Sequence, residues 1–354
     1  MIQNKKKPTD YSKNSISKYK NELIFHIDFH ILNTDYHHTI FKKLGHGTYG
    51  KVYEYLKYHV NILETAIFFE NFETIKDYEI KSISHLSKIG IELHIILRIY
   101  KEIIAYSNEH LPLVLSKDIK NIYEKLIESF DDITEEASKR EEVSKNLDID
   151  DELYNKLISG DYESAKEIFL TNVNDIESFI LKFENKMVPI LSKIGIEWEL
   201  NNISVSKEHL AVDIINDIAS NFFATLKNPQ NTTLGSVLLC NIEGENHNLI
   251  INIINKIFQH NGYKTYNLNS SIPNDDLEDF ISTIPSLKYI LFSCTLESNL
   301  INFYKLHKNI KNINNEEIIT IAGGSGFNNI YNPRRVFNLD FYCNTLKQVL
   351  DITK

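Results

Sequence analysis

The sequence predicts an α plus α/β protein: an all-helical amino-terminal module, a helical-bundle cap, and a carboxyl-terminal flavodoxin-like, doubly wound parallel sheet. Three observations predict it. Apolar residues recur at intervals of three and four over roughly residues 48–228, the spacing of a helix face turned to a core. From residue 235 the pattern changes to short, β-branched apolar runs separated by helical stretches, the alternation of a parallel sheet covered on both faces. Between the two lies KNPQNTTLG (227–235), whose Pro, Asn and Gly punctuate the chain. The resulting domains are 1–140, 150–228 and 233–354, in keeping with the size prior for a chain of 354 residues.

The first element is announced by LGHGTYGKVYEY (44–55), which is similar to the glycine-rich loop of a protein kinase. A kinase also needs a strand-borne lysine soon afterwards and two later motifs that hold magnesium and accept the substrate proton. No Ala-x-Lys or His-Arg-Asp follows, and Val52, Leu56, Val60, Leu63 and Ile67 are spaced as a helix. The glycines therefore read as a turn before a helix over 48–69, without nucleotide chemistry. FETIKDYEIKSISHLSKIG follows, with Gly90 as C-cap, and then IELHIILRIYKEIIAYSNEHL, stopped by Pro112. Ser116 is placed to cap KDIKNIYEKLIESFDDI, and TEEASKREEVSKNLDID reads as a solvated helix end or linker. The bundle comprises DELYNKLISGDYESAKEIFLTNV, DIESFILKFENKMVPILSKIGIEWEL and SKEHLAVDIINDIASNFFATLK. GSVLLCNI, YKTYNLN, KYILFSCT and EIITIAGG are the strands of the last domain, with helices in NLIINIINKIFQHNG, DDLEDFISTI and NLINFYKLHKNIKN.

Composition narrows the function classes. A formal net charge of -10 opposes a general nucleic-acid binder, although the arm MIQNKKKPTDYSKNS is basic. With no signal-peptide core and no run of eighteen apolar residues, the expectation is a soluble, cytoplasmic protein without membrane contact. Cys240, Cys294 and Cys343 form no CxxC pair and read as small buried strand residues.

Ligands of doubly wound sheets bind at the carboxyl ends of the strands. Three stations meet there. Glu245 and His247 lie in NIEGENHNLI after the first strand, Ser293 and Thr295 end the third, and Gly323, Gly324 and Gly326 follow the fourth. This arrangement resembles the cobalamin-binding domain, with its DxHxxG motif, strand-end Ser or Thr, and Gly-Gly pair. The resemblance implies that His247 is the lower axial ligand of cobalt and that Glu245, standing where the family has aspartate, orients it. It also implies that Ser293 and Thr295 bond the nucleotide tail, while the glycines make room for it. Ile250 departs from the motif, which has glycine at that position. The departure weakens an enzyme-partner reading more than it weakens cobalamin binding.

Upstream, Trp198 is followed after nine residues by Glu208-His209, with Ser206 placed as N-cap of the helix whose first turn holds that pair. This resembles the Trp-x9-Glu-His signature of photoreceptors that bind adenosylcobalamin, and the resemblance covers about 150–354. It implies that Trp198 packs beside the adenosyl group, that Glu208 accepts hydrogen bonds from it, and that His209 is a candidate second cobalt ligand after light breaks the cobalt–carbon bond.

Six of the thirteen histidines, His26, His30, His37, His38, His46 and His59, crowd residues 26–59 with no HExxH spacing. Residues 55–112 loosely resemble the helical module of photocobilins, cobalamin sensors that also hold a linear tetrapyrrole. On that resemblance His59, with Tyr55, Phe68, Phe69, Phe72 and Tyr78, lines a pocket for non-covalent biliverdin. The alternative is a plain core stripe at helical spacing.

The expectation is thus an adenosylcobalamin-binding, light-responsive signalling protein without catalytic turnover, homo-oligomeric, acting on an unidentified partner. A corrinoid protein shuttling methyl groups for a methyltransferase is the alternative, and a partner-binding protein with a degenerate cofactor site is the third.

Overall fold

The computed structural model describes residues 15–32, 46–226, 234–269, 272–313 and 318–353. The basic arm up to residue 14, His37, His38, Gly45 and most of KNPQNTTLG lie outside the described residues. The chain divides into two compact units, Met1–Lys145 with Glu199–Asn202, and Asn146–Trp198 with Ile203–Lys354.

The first unit is helical. Helix α1 (Lys20–Ile27) runs into a π turn (Asp28–Leu32) and is followed by α2 (His46–Phe68), α3 (Phe72–Lys88) and α4 (Leu93–His110). After these come α5 (Leu113–Glu128), α6 (Phe130–Ser138) and α7 (Arg140–Lys145). Gly47 and Gly50, expected in a turn, lie inside α2. Each glycine costs a helix roughly 1 kcal/mol. Burial of the stripe Val52, Leu56, Val60 and Leu63 outweighs that, at about 1.5–3 kcal/mol per side chain.

Helix α3 ends as predicted: Gly90 has φ 86° and Ile91 N–H bonds the Leu86 carbonyl at 3.0 Å, closing a Schellman-type cap. Ser116 is a correction. Pro112, pre-set at φ -54°, already starts α5, so Ser116 lies within the helix and its hydroxyl donates to Asn108 Oδ1 at 2.9 Å. The charged stretch after residue 134 is helical as far as Lys145, because Ile133 and Ala137 turn into the core and leave the charges on the outer face.

In the second unit the bundle is made of α8 (Asp151–Ser159), α9 (Tyr162–Leu170), α10 (Ile176–Lys182) and α11 (Val188–Glu199), then α12 (Val205–Thr225). A π turn, Phe183–Met187, joins α10 to α11. Asp150, Asp161 and Asp175 cap the first three by accepting from the backbone N–H of the third residue of each helix. Ser204, not Ser206, caps α12, accepting from Lys207 N–H.

The α/β part runs β1 (Ser236–Asn241), α13 (Leu249–His260), β2 (Lys264–Leu268), α14 (Asn274–Ile281), β3 (Leu287–Ser293) and α15 (Leu300–Ile313). It closes with β4 (Ile319–Gly323), α16 (Pro333–Val336), β5 (Phe341–Cys343) and α17 (Leu346–Thr353). The five strands are parallel in the order β2-β1-β3-β4-β5, the doubly wound sheet that was predicted, with β5 and α17 as additions. Bundle and sheet share one core, in which Phe179, Ile215 and Phe222 join the same cluster as Leu239, Ile253 and Leu291. Among the described residues no helix is long and apolar enough to cross a membrane.

Candidate functional site

The chain leaves β1 for β2 on one side and returns to β3 on the other, so the loops after β1 and β3 flank the topological switch. Gly244, at φ 90°, turns the first of these loops where a side chain would press on Asn299. Glu245 follows and is fully buried. Its Oε1 accepts from the backbone N–H groups of Asn246 at 3.1 Å and His247 at 3.2 Å, and from His247 Nδ1. Its Oε2 accepts from Thr295 N–H at 2.7 Å and Leu296 N–H at 3.0 Å. One carboxylate therefore ties the two strand-end loops together across the switch.

Burial alone would push the Glu245 pKa up, but the bonds from His247 and from the Leu296 and Thr295 amides outweigh it and hold it below the usual value. The His247 pKa is raised, first by its hydrogen bond to Glu245, and Glu208 adds to the effect. With Nδ1 donating to Glu245, the Nε2 lone pair is left on a side chain that is 55% exposed. That is the tautomer and presentation of a metal ligand.

Trp198 and the Glu208-His209 pair belong to the bundle of the same unit. Trp198 sits in the last turn of α11 and is 46% exposed. Glu208 is in the first turn of α12, where the helix dipole favours a carboxylate, and its Oε2 pairs with Nδ1 of the largely exposed His209. Val205 and Leu210 are further exposed apolar side chains there. The contribution of Glu208 to the His247 pKa brings this end of the bundle within electrostatic reach of the β1 loop.

Ser293 ends β3 and is buried, whereas Thr295 is partly exposed and its backbone N–H serves Glu245. The glycines have a reason within the fold itself. A side chain on Gly323 would collide with the Cys343 carbonyl, and one on Gly324, at φ 113°, with the Cys294 carbonyl. On Gly326 it would come within 3.0 Å of the Cys294 O and Sγ. Ile250 lies in the first turn of α13, partly buried against the shared core. The three cysteines are buried and free, and burial raises their thiol pKa values, that of Cys343 to about 11.

His59 stands apart, in the first unit. It is fully buried, with Nδ1 at 2.6 Å from Glu79 Oε1 and Nε2 on the Tyr123 hydroxyl. Tyr55 donates to Glu79 Oε2 at 3.0 Å and Tyr100 donates to the same oxygen, while Tyr78 donates to the Tyr55 carbonyl at 3.1 Å. Burial, and then the charge of Glu79, push Tyr55, Tyr100 and Tyr123 far above the usual phenol range. Both ring nitrogens of His59 are engaged, so neither is free for a bilin propionate in this arrangement.

Spacing disclosed Glu245 and His247 but not what anchors Glu245. The partners are main-chain amides fifty residues on, which no side-chain motif marks. Among the described residues no three His, Cys, Asp or Glu side chains gather as a metal site. The donor set would fit a cobalt corrin, which needs no multidentate protein site and to which His247 would offer one outward imidazole nitrogen.

Residues 235–341 match the family model of the B12 binding domain. This part of the chain accordingly has the fold and cofactor class of a cobalamin-binding domain. No curated protein matches the chain. Among solved structures, the monomethylamine corrinoid protein of Methanosarcina barkeri is 11% identical at TM-score 0.48, over 57% of this chain and 94% of that one. A cobalamin-binding protein from Desulfitobacterium hafniense DCB-2 is 15% identical at TM-score 0.31, over 56% and 94%. The methanol:cobalamin methyltransferase complex MtaBC from Methanosarcina barkeri is 18% identical at TM-score 0.30, over 60% and 82%. At such identities and TM-scores these likenesses bear no functional weight.

Proposed function

We propose that the protein binds adenosylcobalamin and serves as a light-responsive signalling switch without catalytic turnover. The observation that carries the reading is the pairing of the Glu245-anchored, outward His247 with Trp198, Glu208 and His209 in one unit. When bound, the cofactor supplies a cobalt–carbon bond that visible light breaks. Glu245 keeps the proton on His247 Nδ1 and so would hold Nε2 ready as a cobalt ligand. Trp198 offers an apolar face to the adenosyl group, and Glu208 offers an acceptor. His209, largely exposed and paired through Nδ1 with Glu208, would be available as a second imidazole ligand for the cobalt. The signal then passes to a partner through rearrangement of α11 and α12.

Mixing the protein with adenosylcobalamin in the dark is expected to give a base-off, His-on spectrum that changes irreversibly under green light. Absence of binding, or a spectrum unaffected by His247→Ala, would overturn the reading.

The half-exposed Trp198 also suits a corrinoid protein that must present its upper face to a methyltransferase. Preference for methylcobalamin, with Trp198→Ala leaving affinity intact, would favour that second reading. Biliverdin binding through His59 requires the ring to leave Glu79 and Tyr123. A red-shifted band that His59→Leu abolishes is the measurement for it.

A further inference from the structure

The last residues of three adjacent strands stand in register: Asn241 of β1 beside Ser293 of β3, and Ser293 beside Gly323 of β4. Residues in register share a face of the sheet. Two positions earlier on the same face come Leu239, Leu291 and Ile321, all in the shared apolar core. The face is therefore apolar up to its final row, where an amide, a hydroxyl and a bare Cα replace the branched side chains.

Asn241 is the unexpected member. It is fully buried, a position where asparagine is rare. Its Nδ2 donates to Asn248 Oδ1, which fixes the plane of the amide and closes the loop that carries Glu245 and His247. Among the described residues its Oδ1 has no hydrogen-bond partner. A buried carbonyl without a donor is costly and uncommon, and such a group calls for a donor brought from outside the chain.

Resting on the cobalamin reading above, we infer that Asn241 is a tail-binding residue whose Oδ1 accepts a hydrogen bond from the nucleotide tail of the cofactor. The donor is of the class the tail offers, an amide N–H or a ribose hydroxyl. Asn241 lies next to Ser293, so the amide and the hydroxyl form one short polar row at the sheet edge. The role separates it from His247: the histidine meets the metal, and the asparagine reads the part of the ligand that distinguishes a complete cobalamin from the bare corrin ring.

The test compares cobalamin with cobinamide, which has the same ring but no nucleotide, on wild type and Asn241→Leu. Binding is read from the visible spectrum and from quenching of Trp198, the single tryptophan. Asn241→Leu is expected to weaken cobalamin roughly tenfold, to leave cobinamide unchanged, and to preserve the His247-ligated spectrum. Equal weakening of both ligands would make Asn241 a loop-closing residue and overturn the inference, as would undiminished cobalamin binding, which would mean that the carbonyl is met by water. Should Asn241→Leu not fold, Asn241→Ser removes the carbonyl, keeps a polar group and reads the same ratio. Wild type binding neither ligand would instead sink the cobalamin reading itself.

Discussion

Among the described residues, one histidine–glutamate pair in each unit is built on a fully buried carboxylate, and the two are put to opposite use. His59 and Glu79 are both fully buried, and every valence of the pair is spent inside the helical unit on Tyr55, Tyr100 and Tyr123. In the other pair the carboxylate is equally buried, but its imidazole is more than half exposed. Glu245 spends its oxygens inward, on four backbone amides and one ring nitrogen, and so holds the other ring nitrogen outward. Whether such a pair is structural or a ligand is decided by the second ring nitrogen, which meets the Tyr123 hydroxyl in one unit and belongs to a 55% exposed side chain in the other.

The largest effect that sharpens this comparison belongs to the sealed pair. Truncating one partner of a buried ion pair leaves the other charge uncompensated, at a cost of about 3–5 kcal/mol. His59→Ala is thus expected to destabilise the first unit by that order in denaturant unfolding followed by circular dichroism. Replacing both partners with leucine is expected to recover only part of the loss: no charge then remains buried, but the Tyr55, Tyr100 and Tyr123 hydroxyls lose their partners. An unfolding curve for His59→Ala that superposes on wild type would show that the network does not hold the unit together. Cobalamin affinity of the folded variant is expected to stay unchanged.

Next in size is the open pair. Loss of the group that orients a metal-bound histidine typically costs 10- to 100-fold in metal affinity. Glu245→Gln keeps the size of the side chain but loses the charge that holds the proton on Nδ1, and is expected to weaken His247-dependent cobalamin binding by about that factor. Affinity unchanged in a spectroscopic titration would mean that the backbone alone positions the ring.

The sequence disclosed these regions unequally, for physical reasons. The change from helical to strand periodicity at residue 235 marked the doubly wound sheet, because buried parallel strands have no polar face to blur the signal. Strand β5 has three residues and left no period to read, and α1 follows a polar arm that dilutes its apolar stripe. Gly47 and Gly50 looked like a turn because local propensity was read without the core that the helix packs on. At the site, Glu245 and His247 were legible because a single residue, Asn246, separates them in one loop. The closure of His59 was not, since Glu79 and Tyr123 lie 20 and 64 residues away and only the tertiary fold brings them in.

A smaller effect should appear in the pH dependence of the protein without cofactor. The folded pKa of Glu245 is lowered from 4.5, so its contribution is present above that value and lost as pH falls through the folded one. The folded pKa of His247 is raised from 6.5, so its contribution is complete below that value and lost as pH rises through the folded one. The pair therefore contributes most between pH 4.5 and 6.5. Urea unfolding of wild type and His247→Gln should differ most in that window; a difference that is flat with pH would show that the pair carries no linked charge.

The smallest expected effect concerns Ile250, one helical turn beyond His247, where the cobalamin-binding motif has glycine. A branched side chain there could crowd the nucleotide tail and set the open pair at odds with its ligand. Ile250 instead packs, partly buried, against the shared core. Ile250→Gly should then cost stability, roughly 1 kcal/mol from helix propensity with a further loss from the core contact, and change cobalamin affinity by no more than about twofold, well under 1 kcal/mol. A variant that binds cobalamin much more tightly, with cobinamide unaffected, would show that the isoleucine obstructs the tail and that the open pair is only partly fitted to a complete cofactor.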